Sequence, residues 1–155
     1  MVPVGTLRFD RAEPSAVAVT GVLAYSNGFE FFVTRLLRPD GPGFEGGSWP
    51  ASPEVRRVGP PARHTFEIGL EFAGGSRVFG NVPPSNGAPA GPILRFTGGI
   101  GTAHRSDSRY WTWPLPPAGR LDFICRLGTV ETRVSMDAQL IIDASRRSVP
   151  AWPGN

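Results

Sequence analysis

The chain has 155 residues, of which 40% are hydrophobic and 19% are charged. This length suits one domain spanning residues 1–155 and excludes two ordinary domains, and the composition excludes a disordered chain. All 16 basic residues are arginines, which raise the pI to about 10 although the formal net charge is only +3, so the basic pI gives little support for a nucleic-acid partner. No apolar run reaches the roughly 20 residues of a membrane-spanning helix. The single cysteine, Cys125, excludes an internal disulfide. We therefore expect a cytoplasmic protein with no membrane partner.

The clearest local signal is a β-hairpin between residues 15 and 37. Two β-rich runs flank Asn27-Gly28, the preferred pair for a two-residue type I′ turn because both residues tolerate a positive φ. The expected cross-strand pairs are Ser26/Phe29, Ala24/Phe31, Leu23/Phe32 and Val22/Val33. One face then carries Ala24, Phe31, Val22 and Val33, and the other carries Leu23, Phe32, Val19 and Leu36. Because both faces are apolar, we expect a second cover, either the C-terminal helix or another subunit.

Two further segments alternate as strands do. In residues 63–72 one face carries His64, Phe66, Ile68, Leu70 and Phe72, and Ala73-Gly74-Gly75 predicts a turn. Residues 121–136 predict a hairpin around Gly128-Thr129, with an outward pair of opposite charges, Arg126 and Glu131. Its expected inward pairs are Leu121/Met136, Phe123/Val134, Cys125/Thr132 and Leu127/Val130.

The whole pattern predicts an all-β fold. Weaker strands at residues 6–10, 93–97 and 109–113 bring the count to eight or nine, as in an antiparallel, jelly-roll-like β-sandwich. A short C-terminal helix follows, with Leu140, Ile141, Ala144 and Ala138 on its apolar stripe. Residues 39–62 and 80–92 predict long flexible loops, and residues 98–108 predict a third irregular segment.

The segment RYWTWPLPPAGRLDFICR, followed by ETRVSMDAQLIIDASRRSV, resembles a family of uncharacterised actinobacterial all-β proteins. In that family a Gly-rich loop precedes a Y-W-x-W-P-L-P-P-x-G segment, and a strand ending near a cysteine and an E-T/S-R-V-x-x-D-A run come next. The matching positions here are Gly98, Gly99 and Gly101, Tyr110 to Gly119, Cys125, and Glu131 to Ala138. The resemblance carries no known activity and therefore implies no catalytic residue.

Residue types that serve catalysis or metal binding are few and scattered. His64 lies on the apolar side of a predicted strand while Glu67 points the other way, so alternation keeps the pair out of hydrogen-bond reach. His104 and Asp107 lie three apart, but a metal site needs three or four ligands. Cys125 is expected to point inward, where thiolate is disfavoured. We predict no catalytic residue, no metal and no cofactor.

Aromatic residues and prolines concentrate between residues 110 and 117. On a strand, Trp111 and Trp113 share one face and Tyr110 takes the other. The cluster either closes one end of the core or offers a stacking platform or interface anchor. The candidate ligand-binding residues are Tyr110, Trp111, Trp113, Arg105, Arg109 and His104. The candidate interface residues are Phe31, Phe32, Leu23 and Leu36.

Two functional hypotheses follow from these candidates. The favoured one is a non-enzymatic binding or assembly module that forms a homo-oligomer through the apolar hairpin, because Phe31 and Phe32 lie on opposite faces that one monomer does not cover. The alternative is a β-sandwich that binds a small ligand, a sugar or an anion, through the Trp/Arg cluster. Enzymatic activity is less favoured than either, and the partner is an unidentified protein or small molecule.

Overall fold

The computed structural model describes residues 7–8, 15–41, 66–80 and 91–149. The candidate His64, most of the predicted loop at 39–62 and nearly all of the loop at 80–92 lie outside these ranges. The described strands are β1 (Leu7–Arg8), β2 (Ser15–Ala24), β3 (Phe29–Leu37), β4 (Phe66–Glu71), β5 (Arg77–Phe79), β6 (Ile93–Gly101), β7 (Arg105–Trp113), β8 (Arg120–Leu127) and β9 (Val130–Asp137). They are followed by the helix α1 (Gln139–Arg146).

The strands form two antiparallel sheets with one core between them. Sheet A has the order β1-β2-β3-β7-β6, and sheet B has the order β5-β4-β8-β9. Phe31 of sheet A and Phe123 of sheet B are both fully buried, and their ring centroids lie 5.0 Å apart across the interior. This arrangement confirms the predicted all-β antiparallel sandwich with a short C-terminal helix.

The β8–β9 hairpin has the register that the sequence predicts. Every expected pair is present, from Leu121 opposite Met136 to Leu127 opposite Val130. Gly128 has a φ of 60°, the conformation that the first central position of a type II′ turn requires and that glycine adopts at low cost. Arg126 Nε lies 2.9 Å from Glu131 Oε2, so the predicted charge pair is formed.

The predicted turn of the β2–β3 hairpin is wrong. Ala24 pairs with Phe29 and Val22 with Phe31, so the bend lies between Tyr25 and Gly28, whose N–H and carbonyl oxygen are 2.9 Å apart. Gly28 does not have the positive φ of a type I′ turn. A Cβ at residue 28 would lie 2.7 Å from the ring of Trp111. Glycine therefore serves close packing here rather than an unusual backbone conformation.

A bulge corrects the predicted faces of the same hairpin. The register shifts between Val19 and Gly21, and the inserted residue turns the Val19 side chain from the outer face to the core, where it is fully buried. The shift of two residues at the turn leaves the other faces as predicted, because side chains alternate with a period of two. Leu23, Phe32 and Leu36 therefore point away from sheet B.

The prediction of an irregular segment at residues 98–108 is also wrong, because most of this segment is strand. Residues 98–101 belong to β6 and residues 105–108 to β7. β7 pairs with β3 from Thr112, opposite Phe29, to Arg105, opposite Leu36, and this pairing extends the strand through the polar sequence. In β6 the register shifts between Phe96 and Gly98. Gly98 has a φ of 156°, which glycine tolerates better than other residues.

The helix α1 packs against β2 and joins the core through one stripe. Ala138, Ile141 and Ala144 are fully buried, as predicted. Leu140 was predicted on this stripe but is 52% exposed, because its position is rotated by about 100° from that of Ile141. A helix of eight residues is much shorter than the roughly 20 residues that cross a membrane, and no described helix is long and apolar enough to do so.

Candidate functional site

Most of the candidate residues meet on one surface, the outer face of sheet A. We define this face by the described side chains that alternate with the core positions of β2, β3, β7 and β6 and point away from sheet B. They include Leu23, Glu30, Phe32, Thr34, Leu36, Arg95, Ile100, Arg105, Asp107, Arg109, Trp111 and Trp113. Both candidate sets thus share a surface, because β7 pairs directly with β3.

Two candidates lie on the opposite side of the sheet. Phe31 is fully buried and Tyr110 is 3% exposed, and their rings stack in the core with centroids 5.3 Å apart and an interplanar angle of 15°. Burial strongly raises the pKa of Tyr110, and the neighbouring Cys125 raises it further. Strand alternation therefore separates Phe31 and Tyr110 from the surface group, and both stabilise the interior instead.

Trp111 is held in place by the β2–β3 turn. Its ring packs over Gly28, whose missing side chain leaves the required space. Tyr25 contacts it edge-on, with ring centroids 5.4 Å apart and an interplanar angle of 61°. Trp113 lies two residues along the same strand and is 40% exposed. This end of the outer face is therefore an aromatic surface whose central ring is fixed by its neighbours.

Glu30 lies beside this aromatic surface, directly opposite Trp111 on the neighbouring strand. Its side chain is only 12% exposed, while that of Arg109 is 51% exposed. Arg109 Nε lies 3.7 Å from Glu30 Oε1, and the Tyr25 hydroxyl lies 3.5 Å from Glu30 Oε2. Burial raises the pKa of Tyr25, and the charge of Glu30 and its hydrogen bond raise it further. Sequence reasoning missed both Tyr25 and Glu30.

Arg105 is tied into a polar network at the end of the face that lies farthest from Trp113. It donates to Asp107 from Nε at 2.7 Å and from Nη2 at 3.1 Å, and Thr34 donates its hydroxyl proton to the same carboxylate at 2.5 Å. The hydrogen bond from Arg105 is the main reason that the pKa of Asp107 lies below its usual value, despite partial burial. Arg105 is thus already engaged within its own strand.

His104 is engaged in the β6–β7 connection. Its carbonyl oxygen accepts the N–H of Leu37 at 2.8 Å, and its ring Nε2 lies 3.2 Å from the carbonyl oxygen of Gly41. The described residues contain no group of three or more His, Cys, Asp or Glu side chains that could hold a metal ion. His104 therefore contributes to the joining of two loops rather than to a cluster of ligands.

Arg95 completes the outer face and was also missed from the sequence. It is exposed and lies directly opposite Trp111 on the edge strand β6. Within the described part of the chain its side chain makes no hydrogen bond or ion pair. Alternation in the ILRFT segment could have predicted its orientation. Leu94 and Phe96 point inward, so Arg95 between them must point outward.

The outer face of sheet B has a different character, because its arginines and carboxylates pair with one another. Arg126 and Arg133 reach Glu131 at 2.9 and 2.8 Å, and Arg77 pairs with Glu71. Arg126 also covers the ring of Phe79, at 4.1 Å from its centroid. The charges of this face are therefore satisfied within the monomer.

Asp122 anchors one end of that network. The carboxylate is nearly buried, and Arg120 Nε donates to it at 2.7 Å. Burial raises its pKa, but hydrogen bonds from Arg120 and Ser135 and the charges of Arg120 and Arg133 together lower it by more, so the net pKa lies below the usual value. The ionised form of Asp122 is thus stabilised by the fold.

Among the described residues, the thiol of Cys125 and the partly buried guanidinium of Arg35 lie between the sheets. Cys125 is 3% exposed, and burial raises its pKa to about 11. Arg35 extends between the sheets, with its guanidinium carbon 5.0 Å from the centroid of the Phe66 ring, and burial lowers its pKa. A buried thiol with a raised pKa is largely protonated at neutral pH, and this setting disfavours the thiolate that a nucleophilic Cys125 would need.

Comparison with known proteins identifies no relative of this chain. No protein-family model, curated protein or solved structure matches the chain. The resemblance to the actinobacterial family therefore stays a prediction.

Proposed function

We propose that this chain is a non-enzymatic assembly module that self-associates through the outer face of sheet A. The supporting observation is the common location of its large apolar side chains. Leu23, Phe32 and Leu36 share this face with the two tryptophans of β7. Leu36 is 44% exposed and Trp113 is 40% exposed. Burial of such side chains against a partner is favourable by about 25 cal/mol for each Å² of apolar surface removed from water.

The charges of this face favour a second copy of the chain as the partner. Glu30 lies beside Arg109, and Asp107 lies beside Arg105, so both signs alternate over a short distance. A copy related by a two-fold axis presents the same pattern in reverse, and acidic groups then meet basic ones. A partner of one sign would leave half of these groups poorly matched.

The size of the face is sufficient for a reversible dimer. The strands β2, β3, β7 and β6 contain nine or ten residues each. With a spacing of about 4.8 Å between strands and a rise of about 3.3 Å per residue, they cover roughly 600 Å². This area lies at the lower end of specific interfaces, which bury roughly 600–1,000 Å² on each partner.

Light scattering coupled to size exclusion, over a range of protein concentrations, tests this proposal. We expect a dimer that dissociates on dilution. Leu36→Glu should abolish it, because the new carboxylate is buried against the partner in the dimer but lies opposite Arg105 in the monomer. Phe32→Glu should act in the same way.

The matched control is Leu140→Glu on α1. Leu140 is 52% exposed, similar to Leu36 at 44%, but it lies on another element, so its substitution should leave the dimer intact. A monomer at high micromolar concentration, unchanged by Phe32→Glu, would refute the proposal. So would a dimer that survives Leu36→Glu.

A further inference from the structure

The arginines of the two outer faces differ in what they bind. On sheet B, Arg77, Arg126 and Arg133 all form ion pairs with glutamates of the same face. On sheet A, Arg95 is exposed and has no ion-pair partner among the described residues. Arg109 is 51% exposed and approaches Glu30 only to 3.7 Å. Two guanidinium groups on the same face therefore keep donors that the monomer does not use.

These two arginines are neighbours of Trp111 in the sheet. Arg95 is the direct cross-strand neighbour of Trp111, a position at which Cβ atoms are about 4.5–5.5 Å apart. Arg109 precedes Trp111 by two residues on β7 and points to the same side, at a distance of about 7 Å along the strand. The three side chains thus form one compact group of a flat ring and two cations.

The indole ring of Trp111 packs against neighbouring residues of the chain itself. Tyr25 contacts it from one side and Gly28 lies beneath it. A ring that is already fixed loses little conformational entropy on binding, which favours affinity for another flat ring. Stacking on such a ring is tolerant of ligand identity, since nucleobases and the apolar face of a pyranose both present a flat surface.

The charge at this end of the face selects an anion. Glu30 is the one carboxylate that borders Trp111 among the described residues, its side chain is 12% exposed, and Arg109 already lies near it. Arg95 and Arg109 are both exposed and outnumber Glu30. A guanidinium offers a planar fork of donors that matches a carboxylate or a phosphate.

We propose that Trp111, Arg95 and Arg109 form a binding site for a small anion that carries a flat ring. The ring stacks on Trp111, and a phosphate or carboxylate accepts hydrogen bonds from Arg95 and Arg109. Nucleoside monophosphates and uronic acids share this chemistry. The site goes beyond self-association, and because it lies on the same outer face of sheet A, ligand binding and dimer formation should compete. It also differs from the ligand site expected from the sequence, since Tyr110 is buried and His104 and Arg105 are engaged elsewhere.

Isothermal titration calorimetry of the full chain at low ionic strength tests the site. The probes are adenosine 5′-monophosphate and glucuronic acid, with adenosine, glucose and inorganic phosphate as their fragments. Titrations are repeated on Leu36→Glu, which keeps the site but removes the proposed dimer contact, so that failure of one proposal is distinguished from failure of the other. We expect at least one intact probe to bind at least about tenfold more tightly than its own fragments.

Substitution of Arg95 gives the decisive comparison. Arg95→Ala should weaken binding of the intact probe by about tenfold, because a charge-assisted hydrogen bond is lost. Arg147→Ala, which removes an exposed arginine at the end of α1, should leave the affinity unchanged. Both substitutions are on the surface, so the fold is retained. The proposal is overturned if neither intact probe binds, if inorganic phosphate binds as tightly as the nucleotide, or if Arg95→Ala has no more effect than Arg147→Ala.

Discussion

The contact between Phe31 and Phe123 should be the main link between the two sheets. Both side chains are fully buried, and the rings meet edge to face with centroids 5.0 Å apart and an interplanar angle of 72°. Phe123→Ala removes most of a buried ring and should lower the free energy of unfolding by about 3–5 kcal/mol. Since single domains are stable by only about 5–15 kcal/mol, this loss is a large part of the total.

A double-mutant cycle isolates the ring contact from the loss of volume. Phe31→Leu and Phe123→Leu keep apolar side chains in the core, and the two changes should couple by about 0.5–1.5 kcal/mol, the usual worth of an aromatic pair. Urea unfolding followed by circular dichroism measures each free energy. The control pair is Phe79→Leu with Phe123→Leu, because Phe79 lies on the outer face of sheet B, over Gly69. Coupling no greater than in this control pair would refute the packing of Phe31 on Phe123.

Three further results are expected. Gly69→Ala should destabilise the protein by about 1–3 kcal/mol, because its Cβ would lie 2.5 Å from the ring of Phe79; Gly74→Ala, with no atom within 4 Å of its Cβ, should be close to neutral in the same urea assay. Cys125 should react with a thiol reagent only as the protein unfolds, because it is 3% exposed and burial raises its pKa to about 11; rapid labelling of the native protein would contradict its position. Asp122 has a lowered pKa, so its contribution to stability is complete above the unfolded value of about 3.9 and is lost as the pH falls through the folded value. Asp122→Asn should therefore lower stability at neutral pH and flatten the loss below pH 4, and an unchanged acid limb would contradict the ion pair.

The sequence predicted local structure well where the turn residues alone decide the register. Gly128 takes the positive φ that its turn requires, and the β8–β9 pairing follows from it. The β2–β3 turn was mispredicted because Gly28 accommodates Trp111, a residue 83 positions further along the chain. Local turn propensity does not report this contact, because Gly28 and Trp111 come together only when β3 pairs with β7.

The same distinction applies to the candidate site. Alternation separated Trp111 and Trp113 from Tyr110, as the structure confirms. The neighbours of Trp111 were not predictable in this way. Glu30 belongs to another hairpin and meets Trp111 through pairing of the non-consecutive strands β3 and β7. Arg95 lies on the preceding strand β6, but the β6–β7 pairing was missed because residues 98–108 were predicted to be irregular. Alternation in a single sequence predicts the face of the sheet to which a side chain points, but it does not predict which strand lies next to it.

The contrast between the two outer faces sets a limit on assembly. In the proposed dimer the outer faces of sheet A bury each other. Only the outer faces of sheet B, whose charges pair within each monomer, then remain exposed to a further copy. Growth into rings or filaments needs two different adhesive patches, and the ion pairs of Arg77, Arg126 and Arg133 remove the second one. The proposed self-association should therefore end at two copies.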